Sequence, residues 1–369
     1  MKLVQLKRDN LLKPLQAVTG IVEKRHTLPI LSNVLIERKQ DRLSLIATDL
    51  EIQVSTTVSL DNKSGDDASL TVSARKLQDI LRALPEEAEM VLDAQNNRLQ
   101  VRAGKSRFNL QTLPANDFPT LADPGPAQAV VTMPQKDLRE LLLLVQYSMA
   151  QQDIRYYLNG LLLVLEEGQI KVVATDGHRL SYAAGKLQYQ DGKREVILPR
   201  KAVLELAKQL EDKEDPVEME LYANQVKFRF AGIELVTKII DGKFPDYTRV
   251  IPTNYQKHIL LDRAMLLQTL QRAAILSNEK FRGVRWMLTE NGLRISCTNN
   301  EQEEAQEEME ISYSGEPLDV GFNITYLLDV LNNVQGEKVN CAFGDANSSM
   351  LVTLPNKDGF QYVVMPMRI

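Results

Sequence analysis

A strand-like run ending in Ala-Thr or Cys-Thr occurs three times in this chain, as Leu43-Ser-Leu-Ile-Ala-Thr48, Ile170-Lys-Val-Val-Ala-Thr175 and Leu293-Arg-Ile-Ser-Cys-Thr298. The steps between the runs are 127 and 123 residues. Other landmarks keep the same step. Arg75-Lys76 recurs 125 residues later as Arg200-Lys201, and Phe118-Pro119 recurs 126 residues later as Phe244-Pro245. A fixed period sets the architecture before any local detail does. This period is too long for one supersecondary unit and is the length of a small domain. The chain is therefore read as three similar domains in series, at residues 1–124, 129–252 and 253–369.

Each copy is long enough to bury a core without a metal or a disulfide. The two cysteines, Cys297 and Cys341, sit in apolar strand-like runs, so buried thiols and a reducing compartment are expected. The opening Met1-Lys-Leu-Val-Gln-Leu has no long apolar run, and no stretch approaches a membrane span. A cytoplasmic protein with no membrane partner is the expectation.

Within each copy, a helical stripe is expected to come first. Leu11, Leu12, Leu15 and Val18 follow a 3.6-residue period, as do Leu138, Leu141, Leu142 and Val145, and Leu266, Leu267, Leu270 and Ala274. Asp9, Asp137 and Asp262 stand near the three helix starts, where an acidic cap is favourable. Strands follow at Val34-Leu-Ile, Leu161-Leu-Leu-Val-Leu and Val284-Arg-Trp-Met-Leu. A second helix is expected to start near Arg75, Arg200 and Asn323, with more strands after it. Two helices among many strands, without strict alternation, predict an α+β fold with antiparallel sheets.

Charge is spread unevenly. Of the formal −5, the six predicted helices carry +6 and the rest of the chain −11. Basic helices in an acidic protein fit two readings, phosphate-facing surfaces or ordinary solvent faces. One acidic run, Glu301-Gln-Glu-Glu-Ala-Gln-Glu-Glu-Met-Glu310, appears in copy three alone. Copy one has a basic segment from Arg98 to Arg107 that includes Arg102 and Lys105. Opposite charge on distant segments would suit a head-to-tail contact between subunits, although a charge run is more commonly a solvated face.

Catalytic chemistry is hard to find. His26, His178 and His258 share no metal-ligand spacing, and there is no glycine-rich phosphate loop. Neither a metal nor a cofactor is expected. The cluster Thr175-Asp176-Gly177-His178-Arg179 pairs a histidine with a carboxylate, which could serve acid–base work. A tight turn with Gly177 at positive φ is the simpler account.

The residues also carry a resemblance that runs end to end. Thr27-Leu-Pro-Ile-Leu31, Arg155-Tyr-Tyr-Leu-Asn-Gly160, Ala174-Thr-Asp-Gly-His-Arg-Leu180, Asp241-Gly-Lys-Phe-Pro-Asp-Tyr247, Leu276-Ser-Asn-Glu-Lys-Phe-Arg-Gly283 and Tyr362-Val-Val-Met-Pro-Met-Arg-Ile369 resemble signatures of the bacterial DNA polymerase III beta subunits, the sliding clamps. The resemblance implies a head-to-tail homodimer, a ring of six domains whose twelve helices line a hole for duplex DNA, with no catalysis. The implied partners are duplex DNA without sequence preference, the DNA polymerase III catalytic subunit, the clamp loader and other proteins with clamp-binding motifs.

The resemblance also implies roles for particular residues. Arg25, Arg75, Lys76, Gln152, Tyr156, Tyr157, Arg200 and Lys201 fall where the family touches DNA, although Tyr156 and Tyr157 also suit core packing. Phe108, Leu110, Ile275 and Leu276 fall at the subunit interface, with Arg98, Lys105 and Arg107 on one side and Glu301, Glu303 and Glu304 on the other. A partner-peptide cleft is implied at Leu158, Thr175, Gly177, His178, Arg179, Leu180, Pro245, Arg249, Val250, Phe281, Asn323 and Tyr326. The terminal residues Val363, Val364, Met365, Pro366, Met367 and Arg368 complete it. A Met- and Pro-rich wall suits a pocket that accepts many different peptides. Lys24 stands where a small residue is commoner in the family. Asn347 stands where an apolar pocket residue is expected, which would make the cleft edge more polar. Two other classes remain open from the residues alone. One is a peptide-binding scaffold that does not encircle DNA, and the other is a hydrolase using Asp176 and His178.

Overall fold

The computed structural model describes residues 2–23, 28–60, 67–95 and 97–368. Each copy follows one order: strand, helix, four strands, helix, three strands. The helices are α1 (Arg8–Thr19), α2 (Ala74–Ala83), α3 (Gln135–Val145), α4 (Arg200–Gln209), α5 (Arg263–Ala273) and α6 (Ile324–Asn333). All named strand pairs are antiparallel, so the fold class is α+β as the sequence predicts. One element per copy escapes the helical reading. A strand precedes the first helix each time, at Lys2–Lys7, Ala129–Pro134 and Lys257–Asp262. These strands are six residues long and run directly into the helix, so no turn residue marks them off.

The apolar stripes of α1 and α3 bury as their period requires, while on α5 Leu267 is half-buried and Ala274, also half-buried, lies just past the helix end. Leu11, Leu12, Leu15 and Val18 are buried on α1, and Leu266 and Leu270 on α5. The acidic starts behave differently from one another. Asp262 is the N-cap of α5 and accepts the Met265 amide at 2.7 Å. α1 has Lys7 at its cap without a side-chain bond, and Asp9 lies in the first turn, where it favours the helix dipole instead.

In copies one and two the repeated threonine has a local cause. It ends a strand and closes the turn that follows. Thr48 Oγ1 donates to the Ile52 carbonyl at 2.9 Å and accepts the Leu50 amide at 3.0 Å. Thr175 Oγ1 does the same with the Arg179 carbonyl at 2.6 Å and the Gly177 amide at 3.1 Å. The next residue completes the turn by accepting two backbone amides: Asp49 those of Glu51 and Ile52, Asp176 those of His178 and Arg179, Asn299 those of Glu301 and Glu303. Gly177 sits at φ 90°, where a side chain is disfavoured.

Contacts gather the chain into two compact units, residues 1–136 with 204–239 and residues 137–203 with 240–369. The middle copy contributes to both because strands pair across copies. In the first unit, Ile233–Lys238 of copy two pairs with Ile52–Ser59 of copy one, inside a twelve-stranded sheet. In the second, Arg179–Lys186 of copy two pairs with Lys357–Val364 of copy three, inside an eight-stranded sheet. The second unit also holds a four-stranded sheet, Leu318–Asn323 to Glu304–Glu310.

Both cysteines are free and buried. Burial pushes the Cys297 thiol up to about 11 and the Cys341 thiol up to about 12. The reactive species is the thiolate. Both thiols should therefore resist a water-soluble disulfide reagent at pH 8 until denaturant is added. Stoichiometric labelling within minutes in native buffer would contradict this packing.

Candidate functional site: an apolar cavity and two open sheet edges

A cavity of about 230 Å³ opens in the second unit. Its floor belongs to an apolar cluster that includes Leu158, Leu180, Phe244 and Val363, all buried. Its rim carries Val250 and Met365, which are 42% and 47% exposed. The strand pairing explains the floor, because Leu180 and Val363 are register partners across the seam between copies two and three. The Thr175–Arg179 turn supplies one wall, and the tight turn geometry described above fixes it.

Of the sequence-predicted cleft residues, Leu158, Thr175, Gly177, His178, Arg179, Leu180, Pro245, Val250, Val363 and Met365 line this cavity. Phe281, Met367 and Arg368 line a separate cavity of about 550 Å³, together with Asn278, Cys297 and Glu304. The terminal segment spans both. The Met365 amide donates to the His178 carbonyl at 2.9 Å, and the Met367 amide to the Gly321 carbonyl at 2.8 Å, with Pro366 between. Val364 is buried in its strand, opposite Arg179 and Met350. Asn323 is the N-cap of α6 and accepts the Thr325 amide at 2.9 Å. Tyr326 lies under Arg179, with the guanidinium carbon 4.4 Å from the ring centroid. Arg249 extends into solvent and pairs with Asp246 at 3.0 Å. Asn347 sits in a polar turn closed by Asp345.

Four lining residues were not on that list. Phe244 and Tyr247 come from the Phe-Pro-Asp-Tyr run, whose recurrence as Phe118-Pro119 was the available signal. Arg155 lines the rim and is locked to Asp153 by bonds of 3.0 and 2.8 Å. Hydrogen bonding from Arg155 holds the Asp153 carboxyl down to about 2. Tyr157, for which DNA contact and core packing are both open from the sequence, lines the cavity and packs on the apolar cluster. Its neighbour Tyr156 is 59% exposed, with the two rings edge to face at 5.9 Å.

The other expected DNA contacts are scattered over helix starts and one loop. Arg75 and Lys76 are exposed in the first turn of α2, and Arg75 donates to the Val22 carbonyl at 2.8 Å. Arg200 and Lys201 open α4 and are half-buried. Arg200 donates to the Met149 carbonyl at 3.1 Å, and burial together with the nearby Arg179 charge lowers its pKa. Cations at a helix N-terminus oppose the dipole, so neither pair is explained by helix stability. Gln152 is exposed at φ 58°. Arg25 and Lys24 lie outside the described residues. Among the described residues, no cluster of His, Cys, Asp and Glu could hold a metal ion, and no helix is long and apolar enough to cross a membrane. Asp176 is already engaged by two backbone amides and by Arg179 at 3.1 Å, which accounts for the Asp-Gly-His cluster as a turn.

Among the described residues, two of the open strand edges lie beside charged segments of opposite sign. Ser106–Leu113 pairs with Arg98–Ala103 along most of its length but meets Ala68–Ser73 only at Leu113 and Thr112. Arg98, Lys105 and Arg107 are exposed there, and Phe108 and Leu110 are half-buried. Glu304–Glu310 is the last strand of the four-stranded sheet. Glu301, Glu303 and Glu304 are exposed near its start, while Glu307 is held by Arg272 at 2.6 Å and Glu308 by Arg294 at 3.0 Å. In the same unit, Ile275 is 78% exposed and Leu276 half-buried.

The DNA polymerase III beta subunit N-terminal, central and C-terminal domains match residues 1–122, 132–246 and 248–368. The beta sliding clamp of Vibrio cholerae is 44% identical over 364 residues, 99% of each chain. The chain belongs to the DNA polymerase III beta subunit family, the DNA sliding clamps. The clamp of Escherichia coli K12 is 43% identical over 364 residues, again 99% of each chain. A crystal structure of the DNA polymerase sliding clamp from Pseudomonas aeruginosa matches with a TM-score of 0.96 at 44% identity, over 100% of both chains. A clamp structure from Caulobacter crescentus matches at 0.92 and 36% identity, over 99% of this chain and 98% of the other.

Proposed function

We propose that two copies of this clamp close head to tail into a ring around duplex DNA and hold the replicative polymerase there. The observation that carries this reading is the pair of open edges with opposite charge. An exposed edge strand invites pairing with another chain. The edge at Ser106–Leu113 is flanked by Arg98, Lys105 and Arg107, and the edge at Glu304–Glu310 by Glu301, Glu303 and Glu304. Joining unlike edges is a heterologous contact, which closes into a ring when the rotation allows. Phe108, Leu110, Ile275 and Leu276 form its apolar centre, and the charges set register. The ring is cytoplasmic and performs no chemistry of its own.

Arg75, Lys76, Gln152, Tyr156, Arg200 and Lys201, with Arg25, serve phosphate contacts that carry no sequence information. A linked ring needs no tight grip, which is how a chain of net charge −5 serves DNA. The cavity at Leu158, Leu180, Val250, Val363 and Met365 receives short apolar segments of the polymerase catalytic subunit, the clamp loader and other clamp-binding proteins. An apolar floor with a few fixed polar groups at its rim is the usual form of such a site.

The test is topological. Loaded on a nicked circular plasmid by a clamp loader, the protein should be retained, and cutting the circle should release it. Moderate salt should matter little on the circle, because few phosphates need be neutralised. Equal retention on circular and linear DNA would overturn the ring and favour ordinary basic-patch binding.

A further inference from the structure

Arg179 makes one tie between the cavity and α6. Arg179 begins the strand Arg179–Lys186, lines the cavity and has a side chain only 9% exposed. Its Nε donates to Asp176 Oδ2 at 3.1 Å, its Nη1 to Asp329 Oδ2 at 2.6 Å and its Nη2 to the Tyr147 carbonyl at 2.6 Å. The guanidinium also lies over the Tyr326 ring. Tyr326 and Asp329 are three residues apart on α6 and so share one face of it. Asp176 in turn holds the cavity wall, because its other oxygen accepts the amides of His178 and Arg179. Asp329 itself does not line the cavity.

We propose that Asp329 is a positioning residue for peptide binding, acting from α6 through Arg179 on the Asp176–Arg179 wall. Burial opposes the charge of Arg179, and the two carboxylates hold it in place. Charge-assisted bonds of this kind fix geometry as well as charge. Removing Asp329 leaves the guanidinium with one carboxylate and frees it to shift within the cavity it lines. The wall then loses its fixed form and must be ordered when a peptide binds. A site whose binding-competent form is only partly populated binds more weakly in proportion. Occupancy of the cavity and the state of α6 are therefore coupled, and coupling acts in both directions.

This inference rests on the cavity being the peptide site, and the experiment separates the two. The probe is a fluorescent peptide carrying the clamp-binding segment of the DNA polymerase III catalytic subunit, titrated with the full-length chain. Leu180→Lys, in the cavity floor, should abolish binding; unaltered binding there would show that the cavity is not the site, and the inference would fall with it. Asp329→Ala should weaken binding about tenfold, within the range of known couplings. Asp329→Glu should restore most of that loss. Tyr326→Leu, which leaves both carboxylates, should weaken binding severalfold. Combining Asp329→Ala with Arg179→Ala should cost no more than Arg179→Ala alone, because the two act as one unit. With Leu180→Lys inactive, unchanged affinity in Asp329→Ala, or effects that add in the double variant, would overturn the proposal. A change in thermal stability alone would leave the affinity unmoved and so counts against it.

Discussion

Deleting Met365 through Ile369 is expected to abolish peptide binding while leaving assembly intact. Met365 stands at the cavity rim, and its amide donates to the His178 carbonyl of the Thr175–Arg179 turn. The deletion therefore removes a side chain and one backbone tie of the cavity together. Anchors of this kind typically contribute about 2 kcal/mol or more each, so affinity should fall about thirtyfold at least. The buried strand Lys357–Val364 ends before the cut, and its pairing with Arg179–Lys186 persists. The truncated chain should remain a dimer, be able to encircle DNA, and fail to support processive synthesis. Fluorescence titration with a polymerase-derived peptide measures the first effect and sedimentation the second. If the truncated chain binds the peptide as well as the intact one does, the cavity assignment is wrong.

Replacing Ile275 and Leu276 by Ala should have the opposite profile. Ile275 is 78% exposed in the single chain, and Leu276 is half-buried. Neither holds the core of its own unit, so the fold should survive. Burying an aliphatic side chain is worth about 1.5–3 kcal/mol, so the pair should weaken association by about two orders of magnitude or more. Sedimentation at decreasing concentration reads this directly. Peptide binding should persist, since neither residue lines the 230 Å³ cavity. An undiminished dimer at low concentration would refute the assignment of that surface.

Much of this was legible in the chain. The first helix of each copy follows from periodicity, because an apolar stripe has few ways to be buried, and the α+β class follows from two helices among many strands. The short strands before α1, α3 and α5 were hidden because no turn separates strand from helix there. The repeated threonine was visible as a pattern, but the turn that Thr48 closes with Asp49, and Thr175 with Asp176, needed coordinates. The cleft was legible by likeness rather than by composition. Likeness grouped Phe281, Met367 and Arg368 with Leu180, where the structure gives them a cavity of their own. For Tyr156 and Tyr157 the sequence leaves DNA contact and core packing both open, and the structure packs Tyr157 on the apolar cluster while Tyr156 is exposed. Asp329 was invisible, since a lone acidic residue on a helix has no signature until its partner is known.

Strand pairing across the copies has a consequence for the chain's history as well as its stability. Copy one ends its sheet at Ile52–Ser59, and copy two covers that strand with Ile233–Lys238. A single copy cut out at the sequence boundaries would present these strands bare, as templates for any passing chain. The repeat is thus not three independent beads that a recombination event could deal out singly. Within the chain, each added copy seals a flank of the one before it.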